Sequence, residues 1–502
     1  MKKELAIMTE APNHKAEIYY YDIGDYLSRE QKLDIIASFK SMENLPFTRL
    51  KPNEHGDWIS QRNDKFGTWI PIEADKKFNS QTHSYFTIHS LGVNTNRDIW
   101  VYGFSKKQTI QNMRNTISFY NKQVKDLQEA RKKNPKLSAD DFKDNDSRKI
   151  SWCSSLVPKL NTLTECNFQE DSIVLGNYRP FVKEHLYFGK LFIHRRGQFD
   201  NLFPTQNTKN LVICIQSIAG KQEFSPLITN CIADLHFNGD TQCFPLYWYE
   251  TIEPEQNSLF GDDAQIVRHE AVSDFILERA QGKYGNKVQK EDIFYYVYGI
   301  LHSKSYRKTF SADLKKMLPR IPLISDYEKF WAFSKAGRKL AELHLNYEQI
   351  AAYQGLTIES LENKKYADSN SKNTPGEELF VAEKAKAGAL NSEYEYYEVC
   401  QMKFPKKGQK DTIIYNHYHT VKNIPQKAYE YVVNGKSAIE WIMERYAVTT
   451  DKKSGITNDP NDWSREHEKP RYILDLLLSI VNVSVQTADI VDALPDVDWE
   501  KE

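Results

Sequence analysis

The residues most able to do chemistry cluster in the stretch 176–210. Arg179, Lys183, Lys190, Arg195, Arg196 and Lys209 stand there against Glu184 and Asp200, six cations to two acids, a local balance of +4. Tyr178, Phe181, Tyr187, Phe188, Phe192, Phe199 and Phe203 interleave with them. Clustered cations attract phosphates and release counterions, which gives nucleic-acid affinity without sequence preference. Arginine can also contact guanine edges bidentately, and asparagine or glutamine can do the same for adenine. Arg195 and Arg196 occupy a short polar break, His-Arg-Arg-Gly-Gln-Phe, between aromatic runs, and Arg179 sits in Asn-Tyr-Arg-Pro-Phe. A second stretch, 303–340, holds ten Lys/Arg against three acids, a balance of +7. The plain alternative for both is a solvated helix or loop face, because an amphipathic helix needs a charged side. Two smaller polar groups could also meet a ligand. Asn94, Thr95, Asn96 and Arg97 form a turn between two strand patterns, and Arg62-Asn63 lies in Ser-Gln-Arg-Asn-Asp. Asparagine favours turns whether or not it binds anything.

Enzyme signatures fail one by one. Asn434-Gly435-Lys436-Ser437 looks like the end of a phosphate-binding loop, which needs a glycine where the chain has Glu430. A helix over about 426–434, stopped by Gly435 and followed by a Ser437–Glu440 capping box, explains these residues better. An adenine-amino methyltransferase needs an Asn/Asp-Pro-Pro-aromatic tetrapeptide to hold the target amino group. The nearest text, Asp459-Pro460-Asn461-Asp462-Trp463, lacks the second proline. Phe237-Asn238-Gly239-Asp240 has one glycine where a cofactor loop needs several. There is neither a Gly-x-Ser-x-Gly elbow nor a His-Glu-x-x-His helix. His417 and His419, two apart in a strand pattern, would face one side and could begin a metal site; the alternative is two polar-face histidines. Glu362-x-Lys364 resembles the end of a nuclease motif but lies in a polar loop. The residues read directly therefore assign no catalytic, cofactor-binding or metal-binding group.

The chain around them is long enough to position such groups. Its 502 residues are enough for several domains, and 40% apolar with 27% charged residues is ordinary for a globular chain. Lys+Arg 67 against Asp+Glu 68 gives a net charge of -1, which rules out a globally basic coat protein but not a local basic face. Six cysteines include no Cys-x-x-Cys pair, and three lie in apolar runs. They indicate a reduced, cytoplasmic protein with neither disulfides nor structural zinc. No stretch reads as a signal peptide or as the ~20 apolar residues of a membrane span, so no membrane partner is expected.

Periodicity predicts an α+β fold. From Lys15 to about Phe104 the text reads as strands and turns, with one helix over 28–40 that Ser28 caps and in which Leu33, Ile36 and Phe39 or Ala37 share a face. Ser105 caps a long helix to about Lys133, with Ile110, Met113, Ile117, Tyr120, Val124 and Leu127 in a heptad-like stripe. That stripe could be an arm that meets a partner helix, or one face of a helix packed on its own domain. The division expected is 1–134, a β-rich part with the long helix; 152–260, a mixed module; 262–360, a helical bundle; and 379–502, a small α/β region with a last helix over 471–480.

Several of the chain's words resemble one family. YYYDIGDYLSREQKL, SLGVNTNRDIWVYGFS, NYRPFVKEHLYF, DLHFNGDTQCFPLYWYE, EDIFYYVYGILHSKSYR and VVNGKSAIEWIMERY are similar to the C-terminal specificity region of Type ISP restriction–modification enzymes, including the tail end of the adenine methyltransferase domain. The resemblance runs from about Ala16 to Pro495. It implies a target recognition domain within 152–260 and sequence-specific binding of duplex DNA in a phage-defence system. Methylation and cleavage would come from a nuclease, translocase and methyltransferase part in cis or in trans. S-adenosylmethionine, ATP and Mg would bind only to those other parts, and no catalysis is expected from this chain alone. By this resemblance Asn94, Thr95, Asn96 and Arg97 lie near DNA, with Arg179, Arg195 and Arg196 beside them and Arg62 and Asn63 as further contacts. Two other functions stay open. The chain could be a methyltransferase or helicase subunit that completes its active site with another chain, or a scaffold that holds partners through the 110–127 stripe without any DNA role.

Overall fold

A computed structural model describes residues 5–9, 17–24, 27–73, 83–218, 220, 222–252, 265–360 and 393–502. They divide into two compact units, Met1–Thr68 and Trp69–Glu502. The first unit is a three-stranded antiparallel sheet, Leu5–Thr9, Glu17–Tyr21 and Thr48–Leu50, with one helix, Arg29–Ser38. Ser28 and Gln31 close a capping box at the helix start, as the sequence predicts. The helix buries none of its residues, and Leu33 (52% exposed) and Ile36 (44%) face outward. The predicted helix is present; a buried face is not.

The second unit is mixed α and β, the α+β class read from the sequence. One sheet runs in the order Pro226–Thr229, Val212–Gln216, Thr241–Pro245, Ser90–Leu91, antiparallel throughout. All residues of Val212–Gln216 and Pro226–Thr229 are buried, which is why these runs read as continuous apolar text rather than alternation. A second sheet has the order Ile232–Ala233, Ile173–Arg179, Val182–Tyr187, Tyr102–Gly103. Its central hairpin slips register between Asn177 and Arg179, a bulge that re-aims Arg179.

The long helix is Lys106–Lys133, with the Ser105 hydroxyl accepting from the Gln108 amide at 2.9 Å. Met113, Ile117, Tyr120, Val124 and Leu127 are buried in the unit's own core, and Ile110 is partly buried against it. The heptad-like stripe thus belongs to this fold and leaves no free apolar arm. The last helix extends from Tyr472 to Asp492, well past the predicted end at Ile480, because Val481, Val483, Thr487, Ala488 and Val491 continue its buried face. It is long and apolar enough to cross a membrane, but 67% of its apolar window is buried inside the protein.

One prediction is corrected. Residues 426–434 do not form a helix. Gln426–Tyr429 is a single 3₁₀ turn, and Val432–Val433 pairs with Lys436–Ser437 across a two-residue turn. Asn434 (φ 47°) and Gly435 (φ 82°) both take positive φ, as an Asn-Gly hairpin turn requires. The capping box predicted next does form, with Ser437 and Glu440 exchanging hydrogen bonds at the start of Ala438–Arg445. The helices Lys290–His302 and Tyr327–Leu345 cross at two glycines, Gly299 and Gly337. At the crossing, a Cβ on Gly337 would sit 1.9 Å from the Tyr295 carbonyl oxygen, and one on Gly299 would sit 2.2 Å from that of Phe333.

That crossing yields a test. Gly337→Ala is expected to destabilise the chain by about 1–3 kcal/mol or more, because backbone must separate to admit the methyl group. Gly282→Ala, on a helix where a Cβ meets nothing within 4 Å, is expected to be neutral or stabilising by up to about 1 kcal/mol. Urea unfolding of both variants checks the contrast.

Candidate functional site

The turn at 94–97 is held by backbone and by one buried cation. Asn94 and Arg195 form an isolated antiparallel bridge, with amide-to-carbonyl distances of 2.9 and 2.8 Å, so Arg195 travels with Asn94. The Asn94 side-chain oxygen accepts from the Asn96 amide at 3.1 Å, and Asn96 takes the left-handed conformation (φ 55°) that asparagine tolerates. Thr95 is buried. Its hydroxyl accepts from the Arg97 amide at 3.1 Å and donates to the Asp98 carboxylate. Arg97 is buried too. Its guanidinium donates to the carbonyls of Ser151 (3.2 Å) and Phe192 and to Cys153 Sγ (2.9 Å), and lies 5.7 Å from the Phe192 ring centroid. Burial lowers its pKa.

Beside this turn is a cavity of about 500 Å³, lined by Asn94, Asn96, Asp98, Tyr178, Glu184 and Asp234 among others. Arg179 is one wall's anchor. It donates to Asp234 at 2.7 Å and to the Tyr178 carbonyl at 2.6 Å, and it stacks 3.8 Å over the Tyr178 ring, with Asp98 at 3.6 Å. One guanidinium thus serves two carboxylates, while Glu184 takes its hydrogen bond from Asn458 at 3.3 Å. Burial pushes Asp234 up to about 7, with repulsion from Asp98 adding and Arg179 opposing. Burial likewise pushes Glu184 up to about 8 against the Asn458 hydrogen bond and Arg179. Near neutral pH the cavity therefore holds protonated and ionised carboxyls together, offering both donors and acceptors. Carboxyl oxygens can accept from an exocyclic amino group such as that of cytosine.

The structure brings Asn94, Thr95, Asn96, Arg97, Arg179 and Arg195 to one place and treats the rest differently. Arg196 is turned inward. It pairs with Asp200 through Nε at 2.9 Å and a second close contact, donates to the Phe188 carbonyl at 2.5 Å, and lies 3.5 Å over the Phe188 ring. Arg195 is exposed, and its side chain has no partner among the described residues. Arg62 and Asn63 belong to the other unit, where Arg62 pairs with Asp57 at 3.1 Å and Asn63 accepts from the Lys65 amide at 2.8 Å. The guanidinium donors of Arg97, Arg179 and Arg196 are engaged within the protein.

His417 and His419 do not share a face. His419 is buried on the strand His419–Lys422, with Nδ1 2.9 Å from the Ser360 hydroxyl, whereas His417 precedes the strand. No cluster able to hold a metal occurs among the described residues. Glu362 and Lys364 lie outside the described residues. Glu184, Asp234 and Asn458 were not singled out by sequence. Glu184 sits in a strand whose burial pattern does not alternate, so periodicity gave no sign that it faces the cavity.

A family model described as the Type ISP C-terminal specificity domain matches residues 84–476. No curated protein matches the chain. Three solved structures are similar over nearly all of it. A nuclease-deletion mutant of the Type ISP restriction–modification enzyme LlaGI, in complex with a DNA substrate mimic, is 37% identical over 96% of this chain, with a TM-score of 0.75. The ATP-dependent Type ISP enzyme LlaBIII bound to DNA is 35% identical over 97%, with a TM-score of 0.77. A DrdV–DNA complex is 25% identical over 95%, with a TM-score of 0.73. The chain spans only 33%, 28% and 43% of the lengths of those three.

The acid cluster yields a pH test. Glu184 ionises near 4.5 ordinarily but only at about 8 in the folded chain. Between those values the folded state binds more protons than the unfolded state, so its contribution makes stability fall as pH rises through that window. Glu184→Gln removes this titration and keeps an acceptor for Asn458. The variant's stability advantage, read as a higher melting temperature, is expected to be absent below about pH 4.5 and to grow to a plateau above about pH 8, with a ceiling of about 5 kcal/mol. Thermal melts across that range check the sign.

Proposed function

Because the chain belongs to the Type ISP restriction–modification family, matching its C-terminal specificity domain, we propose that it recognises a specific sequence in duplex DNA. Methylation and cleavage then fall to other parts of the enzyme, acting in cis or in trans, and S-adenosylmethionine, ATP and Mg belong with those parts. The observation that carries this reading is the Asn94–Arg195 bridge, which sets an exposed arginine beside two cavity-lining asparagines. The relatives' DNA-bound states support it. A role in phage defence places the chain in the cytoplasm, and all six cysteines are free thiols, as a reducing compartment favours.

Roles divide by what each side chain has left to offer. Arg195 contacts a phosphate or a guanine edge, and Asn94 and Asn96 read adenine or the backbone. Asp98 supplies acceptors, and Asp234 and Glu184 supply acceptors or, when protonated, donors to a base edge. Thr95, Arg97, Arg179 and Arg196 are positioning residues, and Arg62 and Asn63 shape a turn in the other unit. The scaffold reading loses its main support, since the 110–127 stripe is packed into the core. No observation favours a methyltransferase or helicase site completed by a second chain.

Mobility shifts with the full chain test the proposal. Arg195→Ala is expected to weaken duplex binding across all sequences and to reduce the slope of log affinity against log salt by about one. Arg196→Ala should have a smaller effect, because Asp200 already occupies that guanidinium. Asn94→Ala should relax preference at one base position, by about 1–3 kcal/mol, in selection from a random duplex library. No shift on any duplex at low salt would sink the DNA reading.

A further inference from the structure

A second cavity, of about 620 Å³, lies away from the 94–97 turn. Helical residues His302, Arg307, Lys308 and Lys315 line one side, and Tyr431 and the end of the last helix line others. Its volume is in the range of small-molecule sites, roughly 300–1,000 Å³.

Arg307 is the anomaly in it. Its guanidinium is largely withdrawn from solvent, and burial lowers its pKa. Among the described residues its hydrogen bonds go to two backbone carbonyls, Phe224 at 3.5 Å and His302 at 3.3 Å. Among the described residues no carboxylate lies within ion-pairing distance, although Glu223 on the cavity wall contributes some attraction. A buried cation without a counter-charge is unfavourable by several kcal/mol. Arg97, also without a carboxylate, donates to three acceptors, and Arg179 has a carboxylate at 2.7 Å, whereas both Arg307 contacts are 3.3 Å or longer.

Further polar groups around the same cavity lack partners. Arg307 Nε, His302 Nε2 and the Tyr431 hydroxyl are buried with no hydrogen bond among the described residues. His302 is buried, and its Nδ1 lies 2.9 Å from the Tyr298 carbonyl. That bond puts the proton on Nδ1 and leaves Nε2 as an acceptor. At the rim, Lys308 and Lys315 are exposed and form no ion pair among the described residues, whereas Lys304 is held by Asp492 at 2.6 Å with Glu430 at 3.6 Å. Among the described lining residues, four cations, Lys304, Arg307, Lys308 and Lys315, stand against Glu223 and Glu430, a balance of +2.

We propose that this cavity binds a phosphoryl group, with Arg307 at its floor and Lys308 and Lys315 at its rim. Phosphoryl oxygens supply the acceptors that the guanidinium lacks, and two mobile ammonium groups add point charges without fixing geometry. The occupant is either a phosphate of a DNA backbone or a free polyphosphate anion. The recognition chemistry is shared, and the site is separate from the Asn94–Arg195 turn.

Calorimetric titration of the full chain with inorganic pyrophosphate, at neutral pH and low salt, tests it. Saturable binding is expected. Lys308→Gln with Lys315→Gln should weaken it by roughly tenfold, as for loss of two charge-assisted contacts. Arg307→Gln should weaken it at least as much. The rim pair keeps the test valid if the Arg307 variant fails to fold, because both lysines are exposed. Arg195→Ala should leave pyrophosphate binding unchanged, which separates this site from the DNA-reading turn. Competition by a short random-sequence duplex would identify the occupant as a DNA phosphate, and undiminished binding beside the duplex would identify a free anion. The proposal is overturned if pyrophosphate at millimolar concentration gives no heat and the rim pair leaves duplex affinity unchanged. It is equally overturned if pyrophosphate binds but the rim pair binds it as tightly as the parent chain.

Discussion

The Arg97 guanidinium is the contact on which the recognition surface depends. It joins three segments distant in sequence: the 94–98 turn, residues 151–153 and the carbonyl of Phe192. Phe192 and Arg97 are buried, and an unmatched buried carbonyl or guanidinium is disfavoured by about 1–3 kcal/mol or more. The arginine therefore fixes where the turn sits relative to the segment that carries Arg195, only three residues past Phe192. The Asn94–Arg195 bridge then sets the register of the exposed side chains. On this geometry Arg97, expected near DNA, is a pin that holds the proposed readers in place.

The same reasoning changes what the charge counts mean. The +4 stretch loses about half of its balance on folding, because Asp234 and Glu348 come from outside it. Arg179 is matched by Asp234, Lys183 by Glu348 at 2.6 Å, and Arg196 by Asp200. Lys190, Arg195 and Lys209 remain exposed without ion pairs among the described residues. In 303–340, Lys304 is held by Asp492 and Arg338 by Glu291 at 2.8 Å, while Arg307, Lys308 and Lys315 pair with no carboxylate among the described residues. Counting charge along the sequence identifies where cations are concentrated but not which are available. Availability is decided by acids far away in the chain, such as Asp234 and Glu348, which only the fold brings near.

What was legible in the sequence follows from which forces are local. Ser28, Ser105 and Ser437 announce helix starts because a cap is satisfied within three residues. The stripe from Met113 to Leu127 announces a buried face because helical periodicity is local too. The Asn434-Gly435 turn was misread because a glycine ends a helix and turns a hairpin with the same positive φ, and the choice rests on the pairing of Val433 with Lys436. The site's polar turn at 94–97 and its arginines were visible as residue types. The acids opposite them were not, because nothing in Val-Lys-Glu-His-Leu-Tyr marks Glu184 as the member of its strand that faces a cavity.

A reader built this way suits a chain whose net charge is -1. With few unpaired cations near the turn, phosphate attraction alone would give modest affinity and little to distinguish one duplex from another. Discrimination must then come from directional groups, and the cavity beside Asn94 and Asn96 holds several. Arg179 gives Asp234 a fixed ion pair, while Asn458 holds Glu184 by a single hydrogen bond. Because these carboxyls change protonation near neutrality, the donor and acceptor pattern they show a base edge is set by the burial that raises their pKa values. Under the proposed reading, the burial that raises Glu184 and Asp234 is thus also what would let them distinguish one base from another.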